Sequence, residues 1–142
     1  MSEAVRTEIR FHHGGLSVPN LDESIEWYAR VLGFQVETRF QIPVIPANVA
    51  MLRRDSMRIE LFQVDGASPL PTDRRLPERD VWTHGNKHVA FAVRDVPQMA
   101  DELRRLDADI VFVMKHDFGS NIFIRDNAGN LLEFCEQPEL WS

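Results

Sequence analysis

The sequence predicts an α+β protein built from two β-α-β-β-β modules that form a curved sheet. Three observations carry that prediction. A pattern written in the first half returns in the second. Each copy opens with a strand that runs into a capped amphipathic helix, and each closes on an apolar strand interrupted by one glutamate. His13-Gly-Gly-Leu-Ser-Val18 lies 75 positions before His88-Val-Ala-Phe-Ala-Val93, and Arg58-Ile-Glu-Leu-Phe62 lies 73 before Leu131-Leu-Glu-Phe-Cys135. One short loop deletion produces such a drift in the offset.

The elements follow in chain order. The first strand runs from His13 to Val18. Asn20 then caps a helix, with Glu23 three residues on as in a capping box. Ile25, Tyr28, Val31 and Leu32 recur at helical spacing until Gly33 stops it. Short β-like runs occupy residues 34–40, 49–52 and 57–64, with an irregular stretch at 43–46. Residues 65–86 carry Pro69, Pro71 and Pro77 among many charges and lose all periodicity, so they read as a long connection able to wrap over a site. The second module repeats the scheme with a strand at 88–93 and a helix capped by Asp95 with Gln98. The stripe of that helix is Val96, Met99, Ala100, Leu103 and Leu106. Its strands follow at 110–114, 121–125 and 131–136. Asp126-Asn-Ala-Gly-Asn130 is the hairpin signal between the last two, and Arg54-Asp-Ser56 holds the matching place.

The whole chain, residues 1–142, is therefore expected to be one domain, with modules at about 9–64 and 87–136 joined by the loop 65–86. Hydrophobic residues make up 44% of the chain and charged residues 27%, enough for a packed core. A net charge of −6, with no basic cluster larger than a pair such as Arg53-Arg54 or Arg74-Arg75, argues against a nucleic-acid surface. No apolar run approaches the ~20 residues needed to span a bilayer, and the N-terminus lacks a signal-peptide pattern. The single cysteine, Cys135, excludes an intrachain disulfide and a cysteine-based zinc site. A cytoplasmic protein without nucleic-acid or membrane partners is the expectation.

Alternation along a strand sends Val89, Phe91 and Val93 to the helix side and His88, Ala90 and Ala92 to the other. His13, Gly15 and Ser17 likewise oppose Leu16 and Val18. Small residues beside a histidine leave volume, so this face is expected to line a cavity. Glu60 and Glu133 share it, because Ile59, Leu61, Leu132 and Phe134 take the helix side. His13, Glu60, His88 and Glu133 are the candidate metal ligands. A carboxylate in a cavity is costly unless it is paired, hydrogen-bonded or metal-bound. Imidazole nitrogen with carboxylate oxygen suits a divalent ion such as Ni, Co, Zn, Mn or Fe, and the donors do not choose among them. Glu60 has an alternative as an ion pair with Arg58. His12 is expected on the face opposite His13, His84 and His116 in loops, and Tyr28 in the core. Asn121 and Phe123 are placed beside the cavity, and nothing marks Cys135 as a nucleophile.

His13-Gly-Gly-Leu-Ser-Val-Pro-Asn-Leu-Asp-Glu-Ser-Ile-Glu-Trp-Tyr-Ala-Arg-Val-Leu-Gly-Phe34, Lys87-His-Val-Ala-Phe-Ala-Val-Arg-Asp95 and Asp126-Asn-Ala-Gly-Asn-Leu-Leu-Glu-Phe134 together resemble the vicinal oxygen chelate superfamily. That superfamily includes glyoxalase I, methylmalonyl-CoA epimerase, extradiol dioxygenases and bleomycin- or fosfomycin-resistance proteins. The resemblance spans roughly residues 9–136 and implies a glyoxalase-like fold with metal ligands at His13, His88 and Glu133. Glyoxalase I also has a glutamate where Glu60 stands, whereas epimerases carry a different oxygen ligand there. A homodimer is implied as well, with modules facing each other within one chain or across two.

The leading expectation is a metal-dependent lyase or isomerase of the glyoxalase or epimerase type. Its small-molecule substrate chelates through vicinal oxygens, and a metal-stabilised enediolate forms as Glu133 or Glu60 moves the α-proton. One alternative is an Fe(II) extradiol-type dioxygenase that uses only His13, His88 and Glu133, with Ile42, Val44, Ile45 and Trp82 walling an aromatic substrate. Another is a non-catalytic, resistance-type small-molecule binding protein, which needs no such ligand set.

Overall fold

The computed structural model describes residues 3–142. The first module comprises β1 (Gly14–Ser17), α1 (Leu21–Leu32), β2 (Gln35–Ile42), β3 (Ala47–Arg54) and β4 (Met57–Val64). In the connection lies a short helix, α2 (Pro77–Asp80). The second module comprises β5 (Val89–Val93), α3 (Val96–Arg105), β6 (Asp109–His116), β7 (Gly119–Arg125) and β8 (Leu131–Glu136). Two four-stranded mixed sheets result, in the orders β1-β4-β3-β2 and β5-β8-β7-β6. The two sheets do not close on each other, and the architecture is the expected α+β repeat.

The repeat extends to details the sequence does not display. Both sheets shift register at matching places, between Val36 and Thr38 and between Ile110 and Phe112. Asn20 Oδ1 accepts from Glu23 N at 3.0 Å, and Asp95 Oδ1 accepts from Gln98 N at 2.9 Å, so both caps form as expected. A further donor at each helix start is satisfied from the end of the module's last strand: Leu21 N donates to Gln63 Oε1 and Val96 N to Glu136 Oε2. Gly33, at φ 73°, closes α1 in the left-handed conformation that favours glycine.

Two stretches are more ordered than their sequence suggests. Residues 43–46 form the tight turn of the β2–β3 hairpin, which lengthens both strands beyond the predicted runs. In the connection, Thr72–Arg75 forms a 3₁₀ turn ahead of α2. Four-residue elements are too short for a periodic stripe, and here ion pairs do the anchoring. The buried Asp80 carboxylate meets Arg74 Nε and lies 3.4 Å from Lys87 Nζ.

Ile59, Leu61, Ile122, Ile124, Leu132 and Phe134 are buried together with Tyr28 of α1 and Leu103 of α3 in one core that both modules share. Each such side chain stabilises the fold by roughly 1.5–3 kcal/mol. Across the modules, Tyr28 Oη donates to Asp126 Oδ2 at 2.7 Å and Ser24 Oγ to Asn127 Oδ1 at 3.0 Å. Burial, and then the Asp126 carboxylate beside it, push the Tyr28 hydroxyl well above its usual range. Tyr28 is thus a core residue, as expected. Since the helix-side faces share the core, the histidine and glutamate faces are those each sheet turns away from it.

Candidate functional site

Each imidazole sits one residue before its edge strand, β1 or β5. Parallel pairing with the last strand then sets Gly15 opposite Glu60 and Ala90 opposite Glu133. Small residues at those two positions leave room for the histidine two residues earlier to reach the carboxylate. His13 Nε2 lies 3.2 Å from Glu60 Oε1, and His88 Nε2 lies 3.0 Å from Glu133 Oε1. The imidazoles are about one-third exposed (34% and 29%) and the carboxylates less so (15% and 18%), which leaves both pairs open to a ligand.

The pairs differ in what surrounds them. His12 Nδ1 lies 2.7 Å from His13 Nδ1, with the two rings edge to face. This corrects the expectation that His12 faces away: β1 starts only at Gly14, so strand alternation does not govern residues 12 and 13. Glu60 has no partner besides His13 among the described residues. The alternative ion pair with Arg58 does not form. Arg58 instead binds Glu37 through Nε at 2.9 Å and Nη2 at 3.1 Å, which lowers the Glu37 carboxyl and raises the Arg58 guanidinium.

In the second module His88 stands edge-on to Phe123, ring centroids 4.9 Å apart. Glu133 Oε2 accepts from Asn121 Nδ2 at 3.0 Å, and Asn121 Oδ1 lies 3.0 Å from His116 Nε2. His116 is not in a loop: it ends β6 and stacks on Phe118 at 4.6 Å. The predicted strand stopped at Met114, because two polar residues hide the strand's end. Strand alternation already placed Asn121 on the cavity side; its contact with Glu133 depends on the β7–β8 register, which no local pattern reveals.

Among the described residues, no three His, Cys, Asp or Glu side chains lie close enough to share an ion. The structure joins His13 to Glu60 and His88 to Glu133 and does not bring the pairs together. Each pair supplies one nitrogen and one oxygen donor, which fits half of a four-ligand divalent site. His13 and His88 line a cleft of about 1460 Å³ along β1 and β5, bounded by Leu16, Pro69, Leu70 and Phe91; neither glutamate lines it. Ile42, Val44, Ile45 and Trp82 are also outside that lining, and Val44 and Trp82 are exposed, so no apolar wall forms there. His84 is exposed in the connection. Cys135 Sγ donates to Phe91 O, and burial, with Glu133 nearby, pushes its thiol up, away from nucleophilic use.

No described helix is long and apolar enough to cross a membrane. The family model of the Glyoxalase/Bleomycin resistance protein/Dioxygenase superfamily matches residues 10–134. A 2-epi-5-epi-valiolone epimerase from Actinomyces sp. is 29% identical over 111 residues, covering 68% of this chain and 58% of the epimerase. The chain therefore spans little more than half the length of that curated relative. The glyoxalase family protein of Enterococcus faecalis superposes with a TM-score of 0.74 at 25% identity, covering 92% of this chain and 98% of that one. Glyoxalase I of Leishmania major, described as trypanothione-dependent, shares the fold at TM-score 0.69 and 21% identity, over 94% of this chain and 91% of that one. On its family match, its repeated modules and its neighbours in fold, this chain belongs to the glyoxalase/bleomycin resistance protein/dioxygenase superfamily.

Proposed function

We propose that the protein is a metal-dependent isomerase or lyase of the glyoxalase–epimerase type, acting on a small molecule that presents two neighbouring oxygens, one of them a carbonyl. The observation that carries this reading is the duplicated His–Glu pair. A two-histidine, one-carboxylate iron site gives Glu60 no reason to repeat Glu133 in position, facing and histidine partner. The epimerase relative points the same way. Because one chain offers two ligands at each place, the reading requires a homodimer in which one pair from each chain completes a site. His13, Glu60, His88 and Glu133 would hold the ion, whose contribution is Lewis-acid polarisation of the substrate carbonyl. His13 and His88 supply the nitrogen donors. Glu133, held at Oε2 by Asn121, keeps its place. Glu60, with one oxygen uncommitted, takes the proton from the carbon beside the carbonyl and returns it.

The test is solvent exchange. Protein loaded in turn with Ni, Co, Zn and Mn is incubated in D₂O with hemithioacetals and with 2-epi-5-epi-valiolone. Deuterium is expected at the carbon beside the carbonyl, with about one ion per chain by elemental analysis. Oxygen uptake with ring opening of a catechol by the iron-loaded protein, without any exchange, would overturn the isomerase reading. A monodisperse monomer in light scattering would remove the shared site.

A further inference from the structure

Glu133 is held from two directions while Glu60 is held from one. An ionised carboxylate only accepts hydrogen bonds, so Asn121 must turn its NH₂ group toward Glu133 Oε2. Its Oδ1 then faces His116, and His116 must donate from Nε2. The polarity of the chain in the metal-free protein follows: His116 donates to Asn121, and Asn121 and His88 both donate to Glu133, the His88 contact giving way once that nitrogen holds an ion while the Asn121 contact stays. Both the neutral Nε2–H tautomer and the imidazolium provide the His116 donor, so the chain does not depend on the charge of that ring.

The brace is itself supported. His116 pairs with Gly119 in the β6–β7 register, and its ring lies parallel to Phe118, interplanar angle 4°. A side chain at Gly119 would meet Glu136 O at 3.1 Å, so this hairpin end packs tightly against β8, the strand that carries Glu133. The first module has nothing comparable. Met51 faces Glu60 across β3–β4 as Phe123 faces Glu133 across β7–β8. Two residues earlier, where the second module has Asn121, the first has Val49, which cannot donate.

We propose that Asn121, braced by His116, is a positioning residue that fixes the carboxylate plane of Glu133; the proposal rests on the metal-site reading above. Holding Oε2 leaves Glu133 one rotamer instead of several, and partners of this kind behind a ligand are worth about 10–100-fold in metal affinity.

Two measurements test it. In the metal-free protein, the Asn121 side-chain amide resonances are expected at shifted, well-separated positions and to move when Glu133→Gln replaces the acceptor. Resonances at the positions of a free asparagine, unmoved by that substitution, would sink the proposal with no reference to metal. In a titration with Co²⁺ alone, Asn121→Ala is expected to weaken binding about 10–100-fold. His116→Phe, which keeps the stack and loses the donor, should weaken it less, and His116→Gln, which keeps an N–H, should stay near wild type. Equal effects of the two His116 variants, or unchanged affinity in Asn121→Ala, would overturn the positioning role. Wild-type protein that binds no Co²⁺ overturns the proposed function, and the amide resonances then decide the positioning role by themselves.

Discussion

The two His–Glu pairs occupy equivalent places in the repeat and have opposite surroundings. In the first module the imidazole is braced, by His12, and the carboxylate is loose. In the second the carboxylate is braced, by Asn121 and His116, and the imidazole rests on Phe123. The repeat gives both modules the same backbone position and facing for each ligand-type residue. It does not repeat the neighbours that hold each residue. On the proposed function, two glutamates at equivalent places divide the work, one anchoring and one carrying a proton.

The sharpest way to break that comparison is to neutralise each glutamate in turn. Glu133→Gln is expected to abolish both ion binding and turnover. Glu60→Gln should retain an ion with reduced affinity while kcat falls by about 10²–10⁴-fold, the range for loss of a general base. Elemental analysis and steady-state kinetics on the same preparations separate the two effects. Identical behaviour would mean the pairs are equivalent after all, and an active, fully metallated Glu60→Gln protein would remove Glu60 as the base.

The hairpin turns that lead into β4 and β8 differ as well. Asp126 is buried and accepts from Ala128 N, Asn130 N, Asn130 Nδ2 and Tyr28 Oη, whereas Asp55, at the matching turn, is exposed at φ 54°. Asp126→Ala should therefore cost roughly 3 kcal/mol in urea unfolding, and Tyr28→Phe about 1.5 kcal/mol, as expected for hydrogen bonds to a buried charge. Asp55→Ala should change little beyond easing or straining its turn. Tyr28 adds a pH signature. Its folded-state pKa is raised above the unfolded value of about 10, so its contribution is whole below pH 10 and is lost as pH rises beyond it. The alkaline fall in stability should be shallower in Tyr28→Phe.

The smallest expected effect is at the surface, where Glu37 of β2 joins Arg53 of β3 and Arg58 of β4. Its folded pKa is lowered, so its contribution is present above the unfolded carboxylate range and fades as pH falls through the folded value. Glu37→Gln should shift the acid limb of the unfolding curve slightly and leave the neutral midpoint nearly unmoved. If it instead alters ion binding, Arg58 has been released toward Glu60, and the looseness assigned to that carboxylate depends on a neighbour it does not touch.

What the sequence determined by itself was local. Asn20 and Asp95 cap their helices because a cap needs only the next three residues. The sidedness of Glu60 and Glu133 follows from strand alternation between apolar neighbours, and the module repeat from the 75- and 73-residue offsets. Those signals put His13, Glu60, His88 and Glu133 on one kind of face; that His13 meets Glu60 and His88 meets Glu133 follows from the parallel pairing of first and last strands in each sheet. Everything that distinguishes the pairs was decided by tertiary structure. The Asn121 contact depends on how β7 registers against β8, the His12 contact on where β1 begins, and the choice of Glu37 over Glu60 by Arg58 on how three strands lie side by side. Burial of Asp80 by Arg74 and Lys87 joins residues on either side of a helix too short to announce itself. Such contacts turn on ångström-scale positions of groups far apart along the chain, and a pattern of residue types carries the period of a strand but not its register against another.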